Sequence, residues 1–380
     1  MKEILFVSNG HGEDAITKMI IKRLKEKERS LDISVLPLVG SGKLFEGDSI
    51  KILGPRRELP SGGFSTLDIP SFFADVGKGL FPVIFEEMRT LLRTDADIYV
   101  SVGDIYPLIF ILLFGKRKKI HVGTAISSYM REHFKFEEWL MGRCSHIFSR
   151  DNYTAECLKK AGMPATFAGN VMMDFVSNVY SDFDVPPQKT VIGILPSSRP
   201  EAYLNIIHML EIADEIVSRK KEIVFLLSLA PTLDIETLRK KIEKANYYYK
   251  TDDAGTLDEI VTRRGGTVKV VVGYLSETIN RSKMILGMTG TGCEQAAGLG
   301  KPVVIPIGLG VSTSRLRTEL YKRLLGESIL TIEGKPQKIA EEVLALLKNE
   351  KKIARMGSVG RDRMGGPGGA EKIAEVLLKL

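Results

Sequence analysis

Four turns in this chain carry residue types that can do chemistry, and each follows an apolar run. The last is the most informative. In Met284–Ile307 (MILGMTGTGCEQAAGLGKPVVIPI) the pattern predicts a strand ending at Ile285-Leu286, then a small-residue turn at Thr289-Gly290-Thr291-Gly292. A short helix over Glu294–Leu299 and a strand over Pro302–Ile307 follow. A helix starting at such a turn offers backbone N–H groups and the positive end of its dipole, and both favour a phosphate. Glu294, about one turn into that helix, puts a carboxylate within reach of a ribose hydroxyl beyond the phosphates. Alone, the stretch reads equally as an ordinary βαβ unit with a Gly-rich turn.

The first turn is Asn9-Gly10-His11-Gly12-Glu13-Asp14. It follows the apolar run Glu3–Ser8 and opens a helix with Ile16, Met19, Ile20 and Leu24 on one face. Only Gly10 and Gly12 are present, so this is not a G-x-G-x-x-G fingerprint. Glycines that let backbone approach a ligand, around an imidazole, suit a general base. The plainer reading is that His11 caps the helix, although Glu13 and Asp14 already supply acid to its first turn. Gly103-Asp104 ends the strand expected over Asp97–Val102. A carboxylate at the carboxyl end of a parallel strand stands where doubly wound folds place their ligand chemistry. The fourth turn, Pro196-Ser197-Ser198-Arg199, lies between the strand Thr190–Leu195 and a helix running to Arg219.

The elements that position these turns alternate strand and helix throughout. In the first half, strands are expected at Glu3–Ser8, Asp32–Leu38, Asp97–Val102, Lys119–Ala125, Cys144–Ser149 and Ala165–Ala168. Helices are expected at Gly77–Leu92, Tyr106–Phe114 and Asn152–Ala161. The segment Gly40–Gly79 is Gly-, Pro- and Ser-rich, with exposed-looking Phe45, Phe64, Phe72 and Phe73. Long loops of this kind are usually functional. This one reads either as an acceptor-side or membrane-surface element or as packing on its own domain. The second half repeats the pattern from Thr190 through Ile223–Leu229, Ile235–Ala245 and Thr267–Val272. Helices are expected at Pro336–Leu347 and Ala370–Leu380, separated by Arg363–Ala370 (RMGGPGGA). The polar, Pro-paired stretch 182–189 is the linker candidate. The expected fold is therefore α/β, with two Rossmann-like doubly wound domains facing a cleft, over 1–181 and 190–362, and a tail over 363–380. All four turns follow strands and should line that cleft.

Composition excludes several classes. The chain has 380 residues, 44% hydrophobic and 27% charged, which suits a globular protein with a large core. Cys144, Cys157 and Cys293 are widely spaced with no C-x-x-C pair, which argues against a disulfide framework or a zinc site. The opening MKEILFVSNG lacks a signal-peptide h-region, and the longest strongly apolar run, Ile105–Phe114, is too short to span a bilayer. A reducing, cytoplasmic compartment is expected. The net charge of +7 suits anionic partners such as nucleotide diphosphates or phospholipid headgroups. There is no basic stripe interleaved with aromatics, so nucleic acid is not an expected partner.

The motifs together resemble the GT-B glycosyltransferases, and most closely the lipid-A-disaccharide synthase-like family. The matching residues are Ser8–Asp14 (SNGHGED), Gly103-Asp104, Gly169-Asn170, Leu195–Glu201 (LPSSRPE), Thr289–Val304 (TGTGCEQAAGLGKPVV) and the tail RMGGPGGA. The opening turn departs from the synthase's GEPSGD-like turn. It has a His, as in the peptidoglycan glycosyltransferase that builds lipid II. The resemblance implies an inverting transfer from a nucleotide sugar, with uridine as the expected base, and no metal or other cofactor. It implies a lipid-linked or other envelope acceptor, with peripheral membrane contact through the N-terminal domain left open. Ser197 and Arg199 would meet the diphosphate, Arg being suited to bidentate contact with phosphate oxygens. Backbone at Thr289, Gly290, Thr291 and Gly292 would hold the same group, with Glu294 and Gln295 beside it. Gly273, Tyr274 and Leu275 would lie near the base. Gly10, Gly12, Glu13 and Asn170 would bind substrate on the other domain, with His11 or Asp104 as the base that deprotonates the acceptor. The D-x-D at Asp182–Asp184 fits a metal motif, but its place in the linker counts against that. The resemblance also makes the tail helix cross back onto the N-terminal domain. A sugar-nucleotide 2-epimerase and a non-catalytic nucleotide-sugar-binding relative remain as alternatives.

Overall fold

The computed structural model describes residues 2–47, 50–56, 80–176, 179–251, 258–288, 290–308 and 313–380, which form two compact units. One comprises Met1–Asp174 and Gly366–Leu380, the other Phe175–Gly365. Of the long loop, Phe64, Phe72 and Phe73 lie outside the described residues, as does Thr289. Phe45, expected to be exposed, is fully buried among Ile16, Ile20 and Ile33. Its aromatic ring supplies core rather than surface.

In the first unit the chain runs β1 (Glu3–Ser8), α1 (His11–Lys27), β2 (Asp32–Pro37), β3 (Lys51–Ile52), α2 (Leu80–Arg93), β4 (Ile98–Gly103) and α3 (Ile105–Phe114). It continues with β5 (Lys118–Gly123), α4 (Lys135–Met141), β6 (His146–Phe148), α5 (Asn152–Lys160) and β7 (Ala165–Thr166). The seven strands form one parallel sheet in the order β3-β2-β1-β4-β5-β6-β7. Strand period explains why β1 reads as a continuous apolar run. Ile4 and Phe6 face one core with Ile16, Ile20 and Leu24 of α1, while Leu5 and Val7 face another with Tyr99, Leu108 and Ile111. Each such fully buried side chain contributes about 1.5–3 kcal/mol.

The second unit runs β8 (Thr190–Leu195), α6 (Ala202–Arg219), β9 (Ile223–Leu229), α7 (Ile235–Lys244), β10 (Tyr248–Thr251), β11 (Asp258–Val261), β12 (Thr267–Val272) and α8 (Leu275–Arg281). Then come β13 (Met284–Gly287), α9 (Thr291–Gly298), β14 (Val303–Ile307), α10 (Arg315–Leu325), β15 (Ile329–Glu333), α11 (Pro336–Leu347) and α12 (Glu350–Met364). Its eight strands have the order β10-β11-β12-β9-β8-β13-β14-β15. The antiparallel pairs β10–β11 and β11–β12 were not expected from an all-parallel reading. Only alternate residues there, such as Tyr249, Ile260 and Val268, join the core, so the apolar signal is thin. Helix α12 was also missed, since its glycines and many charges hide the periodicity.

The last helix, α13 (Gly369–Lys379), belongs to the first unit. Ile373, Ala374 and Leu377 pack into the core of β1 and α1. The Asp174 carboxylate accepts from the backbone N–H groups of Gly368 and Ala370, so a distant side chain satisfies the start of α13. A Cβ on Gly369 would lie 2.6 Å from the Gly169 carbonyl oxygen, so the glycine-rich run is needed for close backbone approach.

Candidate functional site

Each sheet reverses its strand order at one place, and a doubly wound sheet opens a crevice there, beyond the carboxyl ends of its strands. In the second unit the reversal lies between β8 and β13. The turns after these strands are Pro196–Arg199 and Gly290–Gly292. The two C-terminal-half motifs are thus brought to the two sides of one crevice. A cavity of about 300 Å³ opens there, lined by Ser197, Gly273, Leu275, Thr291, Gly292 and Gln295, with Ser198, Ser228 and Pro231. The lining sets four hydroxyls and the Gln295 amide among leucine, proline, alanine and glycine.

Local geometry shows how the turns are set. Ser197 has φ 118°, a region that side-chain-bearing residues avoid, and it lines the cavity. Its hydroxyl accepts from the Arg199 backbone N–H at 3.2 Å and donates to Glu201 at 3.3 Å. Arg199 is exposed. Helix α9 starts at Gly290, which has no side chain to cap it. The helix is held tightly from behind. A Cβ on Gly360 of α12 would lie 2.2 Å from the Ala297 carbonyl, and one on Gly287 would lie 2.4 Å from Cys293 Sγ. Glu294 is buried, 5% exposed, with the Tyr321 hydroxyl 3.4 Å away. Tyr274 is half exposed and meets Phe183 edge-on at 5.9 Å. Phe183 is itself part of this unit's core, and the flanking Asp182 and Asp184 point outward as exposed residues.

In the first unit the reversal lies between β1 and β4. Here the turns carry acid. Asp104 caps α3, accepting from the Tyr106 N–H at 2.9 Å and from the Asn9 side-chain amide at 3.2 Å. Burial raises its proton affinity above the ordinary carboxylate range, against the pull of those two donors. Glu13 lies across Gly103, whose absent Cβ would meet Glu13 Cγ at 3.3 Å. Burial raises the Glu13 pKa as well, and the neighbouring charges of Asp104 and Asp14 add to it. Asp14 is buried and accepts from the Ser8 hydroxyl; desolvation pushes its pKa up to about 6. Gly10 has φ 132°, and a Cβ there would lie 2.9 Å from Glu13 Oε2, so glycine is needed for both conformation and space. His11 is the first residue of α1 and is exposed, as is Gly12; a Cβ on Gly40 would lie 3.8 Å from its ring. Asn170 donates its N–H to the Gly366 carbonyl where the chain returns, and it lines a small cavity with Gly123 and Thr124.

Sequence reasoning missed a second polar group beside Asp104. Ser101 and His121 are partners across β4 and β5, and Ser101 Oγ lies 2.9 Å from His121 Nδ1. Burial, then the nearby His133, lowers the His121 pKa to about 4, so the imidazole stays neutral. A small cavity joins His121, His133 and Asp104, with Glu137 at its edge, clamped by Arg131 at 2.6 and 2.8 Å. The available signal was a polar residue inside each of two apolar strands, each shortly before a glycine.

No family model matches this sequence, and no curated protein does. Solved structures do match along the whole chain. The calicheamicin glycosyltransferase CalG4 aligns with TM-score 0.64 at 14% identity, over 100% of this chain and 98% of its own. MurG of Acinetobacter baumannii aligns with TM-score 0.62 at 13% identity over 100% of both chains. UDP-GlcNAc 2-epimerase of Neisseria meningitidis, solved with UDP-GlcNAc bound, aligns with TM-score 0.57 at 14% identity over 100% of both. At such identities the likeness establishes the fold: two Rossmann-like α/β domains of the GT-B kind.

Proposed function

We propose that this protein is a nucleotide-sugar-dependent glycosyltransferase, with its donor site at the β8/β13 crevice. The observation that carries this reading is the 300 Å³ cavity that gathers Ser197, Thr291, Gly292, Gln295, Gly273 and Leu275 from three separate strand ends. Its hydroxyls and helix N–H groups suit a diphosphate, Arg199 adds a cation, and Glu294 offers a carboxylate for ribose. A structural neighbour that holds UDP-GlcNAc supports the ligand class, with uridine as the proposed base. In the transfer, the acceptor oxygen bonds to the anomeric carbon while the bond to the diphosphate breaks. The helix dipole and N–H groups offset the charge on the departing diphosphate. Asp104 takes the acceptor proton, its raised proton affinity bringing it closer to working pH. His11, exposed at the helix start, is the alternative base. A lipid-linked envelope acceptor, as in the lipid-A-disaccharide synthase-like family, remains part of this proposal. Among the described residues no helix is long and apolar enough to cross a membrane.

A second reading, sugar-nucleotide 2-epimerase, draws support from one observation: Glu13 and Asp104 form a pair of carboxylates, both with raised pKa. The deciding experiment combines a thermal-shift screen against nucleotide sugars with product analysis. Binding to the native state raises the midpoint, and Glu294→Ala should abolish the rise. Transfer predicts turnover that requires an acceptor. Conversion of the donor sugar with no acceptor present would establish the epimerase instead, and no shift with any nucleotide sugar would refute the donor site.

A further inference from the structure

The strained φ of Ser197 is tied to a side chain behind the turn. The Pro196–Ser197 peptide is trans and planar, so its C=O and N–H point in opposite directions. The Pro196 carbonyl accepts from the side-chain amide of Asn205, in the first turn of α6, at 2.8 Å. Asn205 is 1% exposed and lies on the same buried helix face as Ala202 and Met209. Its amide oxygen is buried without a partner. An unsatisfied acceptor in an apolar core is destabilising, and the bond to Pro196 is what the amide gains there.

Turning this peptide over by half a revolution would carry Ser197 from φ 118° to about −60°, a region open to any residue. Relief of strain favours that turn, and the hydrogen bond from Asn205 opposes it. The direction so fixed has a chemical consequence. With the carbonyl drawn back onto Asn205, the Ser197 N–H points away from α6. Pro196 and Ser197 line the cavity and Asn205 does not, so the N–H is directed to the cavity side of the turn. It has no acceptor among the described residues. The reversed peptide would present a carbonyl oxygen in its place, and that oxygen repels a phosphate where an N–H attracts it. We propose that Asn205 is a positioning residue that holds the Pro196–Ser197 peptide with its N–H toward the diphosphate of the donor. This inference rests on the donor-site reading given above.

The test is isothermal titration of the full chain with UDP, CDP, ADP and GDP. The tightest of these is then titrated into Asn205→Leu, Ser197→Gly and the double variant. Leucine has nearly the size of Asn205 and no donor, and Asn205→Ala replaces it should the leucine variant not fold. Asn205→Leu should bind about ten-fold more weakly, the loss of one hydrogen bond to a charged group. Glycine tolerates either direction of the peptide, so in the Ser197→Gly background the same change should weaken binding by about three-fold or less. A merely structural role for Asn205 would give equal losses in both backgrounds and would overturn the proposal. So would unchanged affinity in Asn205→Leu. A crystal structure of Asn205→Leu should show Ser197 at negative φ, and a φ still near that of the wild type would likewise overturn it. Absence of nucleotide binding by the wild type would instead remove the donor-site reading itself, and this inference with it.

Discussion

The two units open the same kind of crevice, at the reversal of strand order, and furnish it with different chemistry. The β8/β13 crevice is lined by Ser197, Ser198, Thr291 and Gln295, with leucine and proline side chains, around a 300 Å³ space. The β1/β4 crevice is crowded with Glu13, Asp14 and Asp104, all with raised proton affinity. One suits holding an anion, the other moving a proton. Topology fixes where a doubly wound sheet can act, and the few residues in the turns fix what it does there.

The sharpest way to test this division is Asp104→Asn. Loss of a general base should lower donor-sugar turnover about 10²- to 10³-fold while nucleotide affinity, read by calorimetry, stays within about two-fold. A matching fall in affinity would erase the distinction between the crevices.

Next comes pH. The folded protein holds the Asp14 proton up to about pH 6, against 3.8 ordinarily. The folded state therefore binds this proton more tightly than the unfolded one. The stability it confers is complete below about pH 4 and is lost as pH rises through 6, a change of about 2–3 kcal/mol. Urea unfolding at pH 4, 5, 6 and 7 should show this fall in the wild type and a flatter profile in Asp14→Asn. Equal slopes would mean that the burial of this carboxylate has no consequence for folding.

Gly360→Val probes the opposite crevice from behind. The added atoms would collide with the Ala297 carbonyl, displacing α9 at a cost of about 2 kcal/mol and weakening nucleotide binding. Normal nucleotide affinity would show that α9 needs no such support. The smallest effect is expected from Ser197→Gly. Relief of its positive φ should stabilise the protein by about 1 kcal/mol, while loss of the hydroxyl weakens nucleotide binding a few-fold. Stabilisation without any weakening would leave the strain at Ser197 with no tie to the ligand.

Much of this was legible in the chain. Apolar runs such as Glu3–Ser8 and Thr190–Leu195, alternating with amphipathic helices, announce two parallel sheets, because strands buried on both faces leave few polar positions. The motifs SNGHGED, LPSSRPE and TGTGCEQAAGLGKPVV are visible because turns at strand ends need glycine and small residues in a fixed order. Where the pattern is weak it misled: β10–β11 bury only alternate residues, and α12 carries glycines used for packing against α9. The Arg363–Ala370 run shows its glycines plainly, yet Gly169, the backbone that Gly369 meets, lies far away in the chain.

Residue types and local spacing by themselves determined the doubly wound class, the four turns and the kinds of group they present. Those properties depend on neighbours in the chain. Tertiary structure alone decided which groups meet. It set Ser101 beside His121, stacked three acids until burial raised their proton affinity, and brought Tyr321 from α10 to Glu294 on α9. Register, desolvation and close approach between distant segments are properties of the packed molecule, and no local pattern encodes them.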